Sequence, residues 1–249
     1  MRVLGVIPAR LGATRIPHKP LQLLAGEPLV TRVIQHVLSL ELVDDLVVAT
    51  DSEMVARVVE VAGVRAVLTR PSHQSGTERV GEVARLPEHA GHNIVVNVQG
   101  DEPFLPRSAL AGAIDRVIQG DEVGTAAAPL DARDAGDPGR VKVVADVNGR
   151  ALYFSRAMIP HRRDRDAATD DLYWQHLGVY AYRREALDRW TRLPPAPAEE
   201  AERLEQLRAL HYGMHVGVAR IEEPAEPGVD TPDDLRRAEA RWLALEEHR

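Results

Sequence analysis

The chain opens with the segment Val3-Leu4-Gly5-Val6-Ile7-Pro8-Ala9-Arg10-Leu11-Gly12-Ala13-Thr14-Arg15-Ile16-Pro17-His18-Lys19-Pro20. Its first five residues form a short apolar run rich in β-branched side chains, which is typical of a buried parallel strand. Beyond the loop, apolar side chains recur at helical spacing at Leu29, Val30, Val33, Ile34, Val37 and Leu38. This order of strand, glycine-bearing loop and helix predicts an α/β sheet, in which ligands bind outside the carboxyl ends of the strands.

The loop after this strand carries three cations, Arg10, Arg15 and Lys19. Only two of the 31 basic residues of the chain are lysines, so a lysine at this place indicates a task that arginine does not perform. A lysine ammonium is a point charge on a flexible stem, whereas arginine binds phosphate through a planar fork. The ordinary interpretation is a solvated basic loop, but the position at a strand end favours phosphate binding.

Composition limits the classes of function. The chain has 249 residues and is 44% hydrophobic, enough for one substantial core or for one core with a smaller lobe. A net charge of −7 argues against general nucleic-acid binding, and the lack of cysteine excludes disulfides and thiolate metal sites. The sequence shows no secretory leader or membrane helix, so we expect a soluble, cytoplasmic protein.

Further along the chain, strands and helices alternate, and this predicts a mostly parallel sheet with helices on both faces. Segments 141–145 and 151–154 flank Asn148-Gly149 and predict a β-hairpin. A helix beginning near Pro197 is predicted to include Glu205 and Gln206. A last helix, capped by Thr231-Pro232, would present to the core Leu235, Ala238, Trp242 and Leu245.

Two aspartates are candidates for a metal site. Asp101 follows Gly100 and the run 94–98, which is apolar except for Asn97, so its carboxylate should face the ligand crevice. Mg²⁺ prefers hard oxygen ligands and is often held by one or two carboxylates with substrate phosphates. Asp230 is the candidate second ligand, although a turn or capping aspartate is about as good an interpretation of that residue.

Other polar residues have both a functional and an ordinary interpretation. Gln74, Ser75, Thr77 and Arg79 could bind the edge of a nucleobase, yet Ser75-x-x-Glu78 is also a capping box. Three arginines, Arg156, Arg162 and Arg163, could clamp a substrate carboxylate or lie solvated at the surface. His176 could be a satisfied core histidine, and Glu205 and Gln206 could be surface polar residues.

Seven motifs, taken together and in order, resemble the 3-deoxy-manno-octulosonate cytidylyltransferase family over nearly the whole chain. They are Ile7-Pro8-Ala9-Arg10 with Lys19-Pro20-Leu21, His73 to Arg79, Val96 to Pro103, Tyr153-Phe154-Ser155-Arg156, His176-Leu177-Gly178, Leu204 to Arg208, and Gly228 to Pro232. The resemblance implies a Rossmann-like, glycosyltransferase-A-like nucleotidyltransferase fold with a smaller hairpin and dimerisation lobe. It also implies a homodimer, Mg²⁺ as cofactor, and transfer of CMP from CTP to the anomeric hydroxyl of a 3-deoxy-2-ulosonic acid, for lipopolysaccharide synthesis.

By this resemblance the chain is a single domain, 1–249, with a nucleotide-binding core in 1–130 and 214–249 and a sugar-acid and dimerisation subregion in 131–213. The CTP site would contain Arg10, Arg15, Lys19, Gln74, Ser75, Arg79 and Gln99, and the metal site Asp101 and Asp230. Lys19, Asp101 and Arg10 would act in catalysis. The sugar-acid site would contain Arg156, Arg163, His176, Tyr180, Glu205 and Gln206.

The chain departs from the family pattern at three places. Ala13 replaces the usual serine, His18 the usual glycine, and His161-Arg162 a tryptophan and an acid. The third departure lies near the presumed sugar pocket, so an amino-substituted relative such as 8-amino-3-deoxy-manno-octulosonate is an alternative substrate. Two further alternatives are a sugar nucleotidyltransferase that uses another nucleoside triphosphate and a non-catalytic nucleotide sensor.

Overall fold

The opening apolar run forms strand β1, Val3–Pro8, whose first five residues are buried. The structure is a computed structural model that describes residues 1–12, 16–164 and 172–246. The chain divides into two units, Met1–Leu105 with Glu226–Arg249, and Pro106–Ala225. The subregion predicted over 131–213 lies inside the second unit, and the single-domain organisation stays a prediction.

The first unit is built on a parallel sheet. After β1 come β2 (Leu23–Leu24), β3 (Glu27–Pro28), α1 (Leu29–Ser39), β4 (Asp45–Thr50), α2 (Glu53–Val61), β5 (Arg65–Leu68), α3 (Gly76–Ala84) and β6 (Ile94–Asn97), with short 3-10 turns at Lys19–Leu21 and Pro87–His89. Strands β5, β4, β1 and β6 lie side by side in that order, all parallel. Because the chain leaves β1 toward β4 and later returns on its other side as β6, a ligand crevice is expected at the ends of β1 and β6.

The second unit has a mixed sheet. Its elements are α4 (Arg107–Ile118), β7 (Val123–Pro129), β8 (Lys142–Ala145), β9 (Ala151–Ser155), β10 (Trp174–Arg183), α5 (Arg184–Trp190), α6 (Pro197–Glu202), α7 (Gln206–His211) and β11 (Val216–Arg220). Strand β7 pairs with β11 in parallel and with β10 in antiparallel orientation. The predicted hairpin is confirmed as the antiparallel pair β8 and β9, and β8 also pairs with β10. The predicted α/β fold class is confirmed.

The helix predicted to run from near Pro197 through Gln206 is wrong. Helix α6 ends at Glu202 because Arg203 adopts a left-handed conformation, with φ 54°, which no α-helix continues through. Leu204 is then buried, and α7 begins at Gln206 with Glu205 at its N-cap. The break places Glu205 and Gln206 at a helix start instead of a helix interior.

The last helix, α8 (Pro232–Glu246), begins as predicted but lies at the surface. The amide of Asp234 donates to the Thr231 hydroxyl at 3.2 Å, which confirms the N-cap. Of the four positions predicted to face the core only Ala238 is buried, and Leu245 is 48% exposed. Trp242 packs instead against Phe104, with ring centroids 5.8 Å apart. None of the helices in the described ranges is long and apolar enough to cross a bilayer.

Candidate active site

The loops that follow β1 and β6 meet at the switch point of the first unit. The amide of Val98 donates to the carbonyl oxygen of Val6 at 3.1 Å, so the two segments stay paired beyond the end of β6. A Cβ at Gly100 would lie 2.9 Å from the carbonyl oxygen of Pro8, too close for any other residue. Glycine at this position therefore allows Asp101 to turn toward the basic loop.

A cavity of about 280 Å³ opens at this point. Its lining brings together Arg10, Lys19, Gln74, Ser75, Arg79, Gln99, Asp101 and Asp230. Two of the nucleotide and metal candidates are missing from this lining: Thr77 is buried in α3, and Arg15 lies outside the described residues. His73, Gly76 and Gly100 also line the cavity and had not been proposed as site residues.

Lys19 joins the two candidate metal ligands. Its Nζ donates to Asp101 Oδ2 at 2.5 Å and to Asp230 Oδ1 at 2.9 Å. The loops that carry the two acids are also tied through their backbones, since the amide of Val229 donates to the carbonyl oxygen of Asp101 at 2.8 Å. The carboxylate of Asp234 accepts from the amide of Asp230 at 3.2 Å, which fixes that residue at the start of α8.

The electrostatic balance at Lys19 keeps the ammonium charged. Burial by itself lowers the pKa of Lys19, but the charges of Asp101 and Asp230 and their hydrogen bonds outweigh burial, so the pKa lies above its ordinary value. The side chains of Lys19 and Asp101 are 17% and 26% exposed. One cation is therefore shared by two partly buried carboxylates.

Arg79 is held beside the cavity by a partner that the sequence analysis missed. The residue is 2% exposed, and its guanidinium donates to Asp51 Oδ2 at 3.0 Å and contacts the Thr69 hydroxyl. Asp51 also accepts from the amide of Leu11 at 3.3 Å, so one carboxylate anchors both Arg79 and the start of the basic loop. The position of Asp51, directly after the apolar strand β4, was the signal available in the sequence.

Ser75 has the structural role that its motif predicts and also lines the cavity. Its hydroxyl accepts from the amide of Glu78 at 3.2 Å and caps α3. The carboxylate of Glu78 in turn accepts from the backbone amide of Gln74 at 2.8 Å. His73 contacts the carboxylate of Glu82 and presents a further polar ring to the cavity.

Among the sugar-acid candidates in the second unit, His176 has the best-defined state. Its Nε2 lies 2.9 Å from the Thr125 hydroxyl, which donates its own proton to the carbonyl oxygen of Val179 at 2.7 Å. Since that hydroxyl has a single proton, His176 donates from Nε2 and keeps Nδ1 as an acceptor. Desolvation lowers the pKa of His176 to about 3, so the ring is neutral at neutral pH.

The remaining sugar-acid candidates differ in what they offer a ligand. Tyr180 is buried, its ring 5.4 Å from that of His176, and burial raises its pKa well above the ordinary value. Gln206 is buried at the start of α7, and Arg163 is exposed.

The guanidinium of Arg156 is hydrogen-bonded within the protein. Its Nε and Nη1 atoms donate to the carbonyl oxygens of Glu202, at 2.8 Å, and Pro138, at 2.9 Å. The role of Arg156 in clamping a substrate carboxylate stays a prediction.

The second lysine of the chain, Lys142, lies in a cage of backbone oxygens. Its Nζ donates to the carbonyl oxygens of Asp137, Arg140 and Arg156 at 2.8, 2.5 and 2.7 Å. The residue is fully buried, and burial lowers its pKa. Both lysines therefore place a compact ammonium among converging oxygens, which an arginine fork does not fit.

Known proteins resemble this chain over nearly its whole length. Residues 4–217 match the model of the family described as cytidylyltransferase. The chain is 52% identical to the 3-deoxy-manno-octulosonate cytidylyltransferase of Gemmatimonas aurantiaca, covering 98% of this chain and 96% of that protein. It is 44% identical to the protein of the same name from Polynucleobacter necessarius, covering 94% and 93% of the two chains.

A solved structure of CMP:2-keto-3-deoxy-manno-octonic acid synthetase complexed with CTP resembles this chain throughout. The TM-score is 0.89 at 36% sequence identity, and the superposition covers 99% of this chain and all of that one.

Proposed function

This chain belongs to the cytidylyltransferase family, and from that premise we propose that it joins CMP from CTP to the anomeric hydroxyl of 3-deoxy-D-manno-octulosonate and releases pyrophosphate. The single observation that carries the proposal is the cavity at the switch point, which gathers cations, amides and two carboxylates from four separate segments. The product would serve lipopolysaccharide synthesis.

The reaction exchanges one oxygen bond to the α-phosphorus for another. The anomeric oxygen attacks the α-phosphorus of CTP, the bond to the β-phosphate oxygen breaks, and pyrophosphate leaves while the hydroxyl proton is released. Such transfers depend mainly on positioning and on electrostatic stabilisation. Arg10 and Lys19 would hold the triphosphate, together with Arg15.

The donor set of the cavity fits Mg²⁺ as the cofactor. Asp101 and Asp230 already converge on one cation, and both offer the hard oxygens that Mg²⁺ prefers. Within the described ranges no cluster of three or more acidic, histidine or cysteine side chains is placed to hold a metal, so the remaining ligands would be water and phosphate. When bound, the ion would neutralise charge on the triphosphate.

Selection of the base would depend on Gln74, Ser75, Arg79 and Gln99. The side-chain amides of Gln74 and Gln99 offer both hydrogen-bond donors and acceptors, and the guanidinium of Arg79 is held in place by Asp51. A pocket built on such groups leaves them unpaired when the wrong base enters.

The sugar acid would be bound by Arg156, Arg163, His176, Tyr180, Glu205 and Gln206. His176 supports this role because its neutral ring presents Nδ1 as an acceptor for a substrate hydroxyl. The pair His161-Arg162 keeps an 8-amino analogue as the alternative substrate, since it changes the residues near the presumed pocket.

We further propose that the protein is a cytoplasmic homodimer. Large apolar side chains on and beside the hairpin β8–β9 support the dimer, because Val147 is 99% exposed and Leu152 61% exposed. A second copy that covered this hairpin would remove the apolar surface from water.

Pyrophosphate release tests the proposed reaction. The protein is mixed with Mg²⁺, one nucleoside triphosphate (CTP, UTP, GTP or ATP) and one acid (3-deoxy-D-manno-octulosonate, its 8-amino analogue or neuraminic acid). We expect release with CTP and the first acid. Release of pyrophosphate with the 8-amino analogue only would select the alternative substrate. Faster release with another triphosphate would contradict the assignment of cytosine as the base. Nucleotide binding without any pyrophosphate release would indicate a sensor.

A further inference from the structure

We propose that Lys19 is the resident counter-cation of the two-carboxylate site and must leave it before a divalent metal ion can bind there. The inference rests on the proposed function only in taking Asp101 and Asp230 as the metal ligands. It adds a role for Lys19 that phosphate binding does not include.

The contact atoms carry the first step of the argument. The ammonium of Lys19 occupies the point on which Asp101 Oδ2 and Asp230 Oδ1 converge, at 2.5 and 2.9 Å. A magnesium ion would take the same two oxygens at about 2.0–2.1 Å. Two cations at one point would repel each other and compete for the same lone pairs, so occupation by one excludes the other.

The two acids are held together through their backbones as well as through Lys19. The backbone bond from Val229 to Asp101 joins their loops at 2.8 Å, and Asp234 fixes the amide of Asp230. Two carboxylates held this close repel each other unless a positive charge lies between them. Lys19 supplies that charge in the metal-free protein.

The displaced ammonium has a destination in the same cavity. Lys19 begins a short 3-10 turn, and its four-carbon stem lets the ammonium move while the backbone stays in place. Arg10 lines the cavity as well, so an ammonium released from the acids joins a second cation where the triphosphate would bind. Metal binding and nucleotide binding would therefore strengthen each other, and this coupling must be reciprocal.

Manganese binding to nucleotide-free protein tests the inference without any turnover. Mn²⁺ is titrated and followed by electron paramagnetic resonance for the parent, for Lys19→Met, and for Arg57→Met as a matched control. The side chain of Arg57 is 81% exposed on α2 and pairs with the exposed carboxylate of Glu53. Both substitutions remove one positive charge, so the control changes the net charge by the same amount. We expect Lys19→Met to bind Mn²⁺ at least about tenfold more tightly than the parent, and Arg57→Met to bind as the parent does.

A double variant shows whether the gain belongs to this site. Adding Asp230→Asn to Lys19→Met should abolish the tighter Mn²⁺ binding, because one of the two convergent carboxylates is lost. Equal or weaker Mn²⁺ binding by Lys19→Met than by the parent, or a gain that survives Asp230→Asn, would overturn the inference.

The scarcity of lysine provides a direct readout in the parent protein. With only Lys19 and Lys142 in the chain, ¹⁵N-lysine labelling gives two side-chain ammonium resonances. Mg²⁺ is added to the nucleotide-free protein, and its occupancy is measured by competition against Mn²⁺. We expect the Lys19 resonance to shift and the Lys142 resonance to stay unchanged, because Lys142 lies in its carbonyl cage. An unshifted Lys19 resonance at full occupancy of the site by Mg²⁺ would also overturn the inference. If the protein failed to catalyse the proposed reaction, all these binding results would still be expected.

Discussion

The guanidinium of Arg79 and the carboxylate of Asp51 form a buried ion pair at 3.0 Å beside the cavity where we propose that the nucleotide binds. Replacing Asp51 with asparagine would remove the negative charge beside Arg79, a residue that is only 2% exposed. Removing one partner of such a pair costs about 3 kcal/mol or more. We expect Asp51→Asn to lower the free energy of unfolding by about that amount in urea titrations and to raise the KM for CTP.

An exposed ion pair provides the control for this change. Glu53 pairs with Arg57 on the surface of α2, at 3.8 Å, and both side chains are more than three-quarters exposed. Because such pairs contribute little, Glu53→Gln should unfold at the same urea concentration as the parent. If Asp51→Asn were as stable as Glu53→Gln, the buried pair would not anchor the cavity wall.

Replacement of Asp101 by asparagine tests the carboxylate that follows β6. The backbone bond between Val229 and Asp101 does not involve the side chain, so the loop should keep its position. Charge on the transferred phosphate develops in the transition state, and a group that acts there affects turnover more than ground-state binding. We expect kcat to fall on the order of 100-fold while the Kd for CTP changes much less. Parent-like turnover at saturating Mg²⁺ would contradict the role assigned to Asp101.

The sequence predicted the first unit well because its elements are regular. Strands β1, β4 and β6 each contain a continuous apolar run, and α1 repeats apolar residues at helical spacing, so both patterns are strong. Strand β7 was missed because its segment, Val123 to Pro129, is made of small residues. The structure explains that composition, since a Cβ on Gly124 would lie 1.9 Å from the carbonyl oxygen of Ala113 in α4.

The candidate cavity was predictable as a set of residues but not as a set of contacts. The motifs gave Lys19, Asp101 and Asp230, with the lysine assigned to phosphate and the acids to a metal ion. Their mutual contact joins residues 82 and 211 positions apart, and no local pattern reports such a pairing. Likewise, Asp51 and Thr125 have no motif of their own, because each acts by holding another side chain in place.

The lowered pKa of His176 predicts a pH dependence of stability. In the folded state the pKa is about 3, against about 6.5 in the unfolded chain, so between these values only the unfolded state takes up the proton. The stability that the neutral His176 contributes is therefore present above pH 6.5 and is lost as the pH falls toward 3. From pH 7 to pH 5 the contribution of this residue should be a loss of about 2 kcal/mol.

Unfolding in urea at pH 7 and pH 5 measures this loss, with His176→Gln as the comparison. Glutamine keeps a donor for the Thr125 hydroxyl but does not titrate, so the variant should lose less stability on acidification than the parent. Equal losses in the two proteins would show that His176 takes up its proton in the folded state near its ordinary pKa.

His18 occupies a backbone conformation that favours glycine, with φ 52° and ψ 36°. A left-handed conformation costs most residues about 1–2 kcal/mol, and histidine tolerates it better than most. Glycine adopts this conformation freely but loses more conformational entropy on folding. We expect His18→Gly to be neutral or to stabilise the protein by up to about 1 kcal/mol. His18→Val should destabilise it, because a β-branched residue tolerates this region least. Urea unfolding of the two variants measures the difference, and a valine variant as stable as the glycine variant would mean that residue 18 adopts a different backbone conformation in solution.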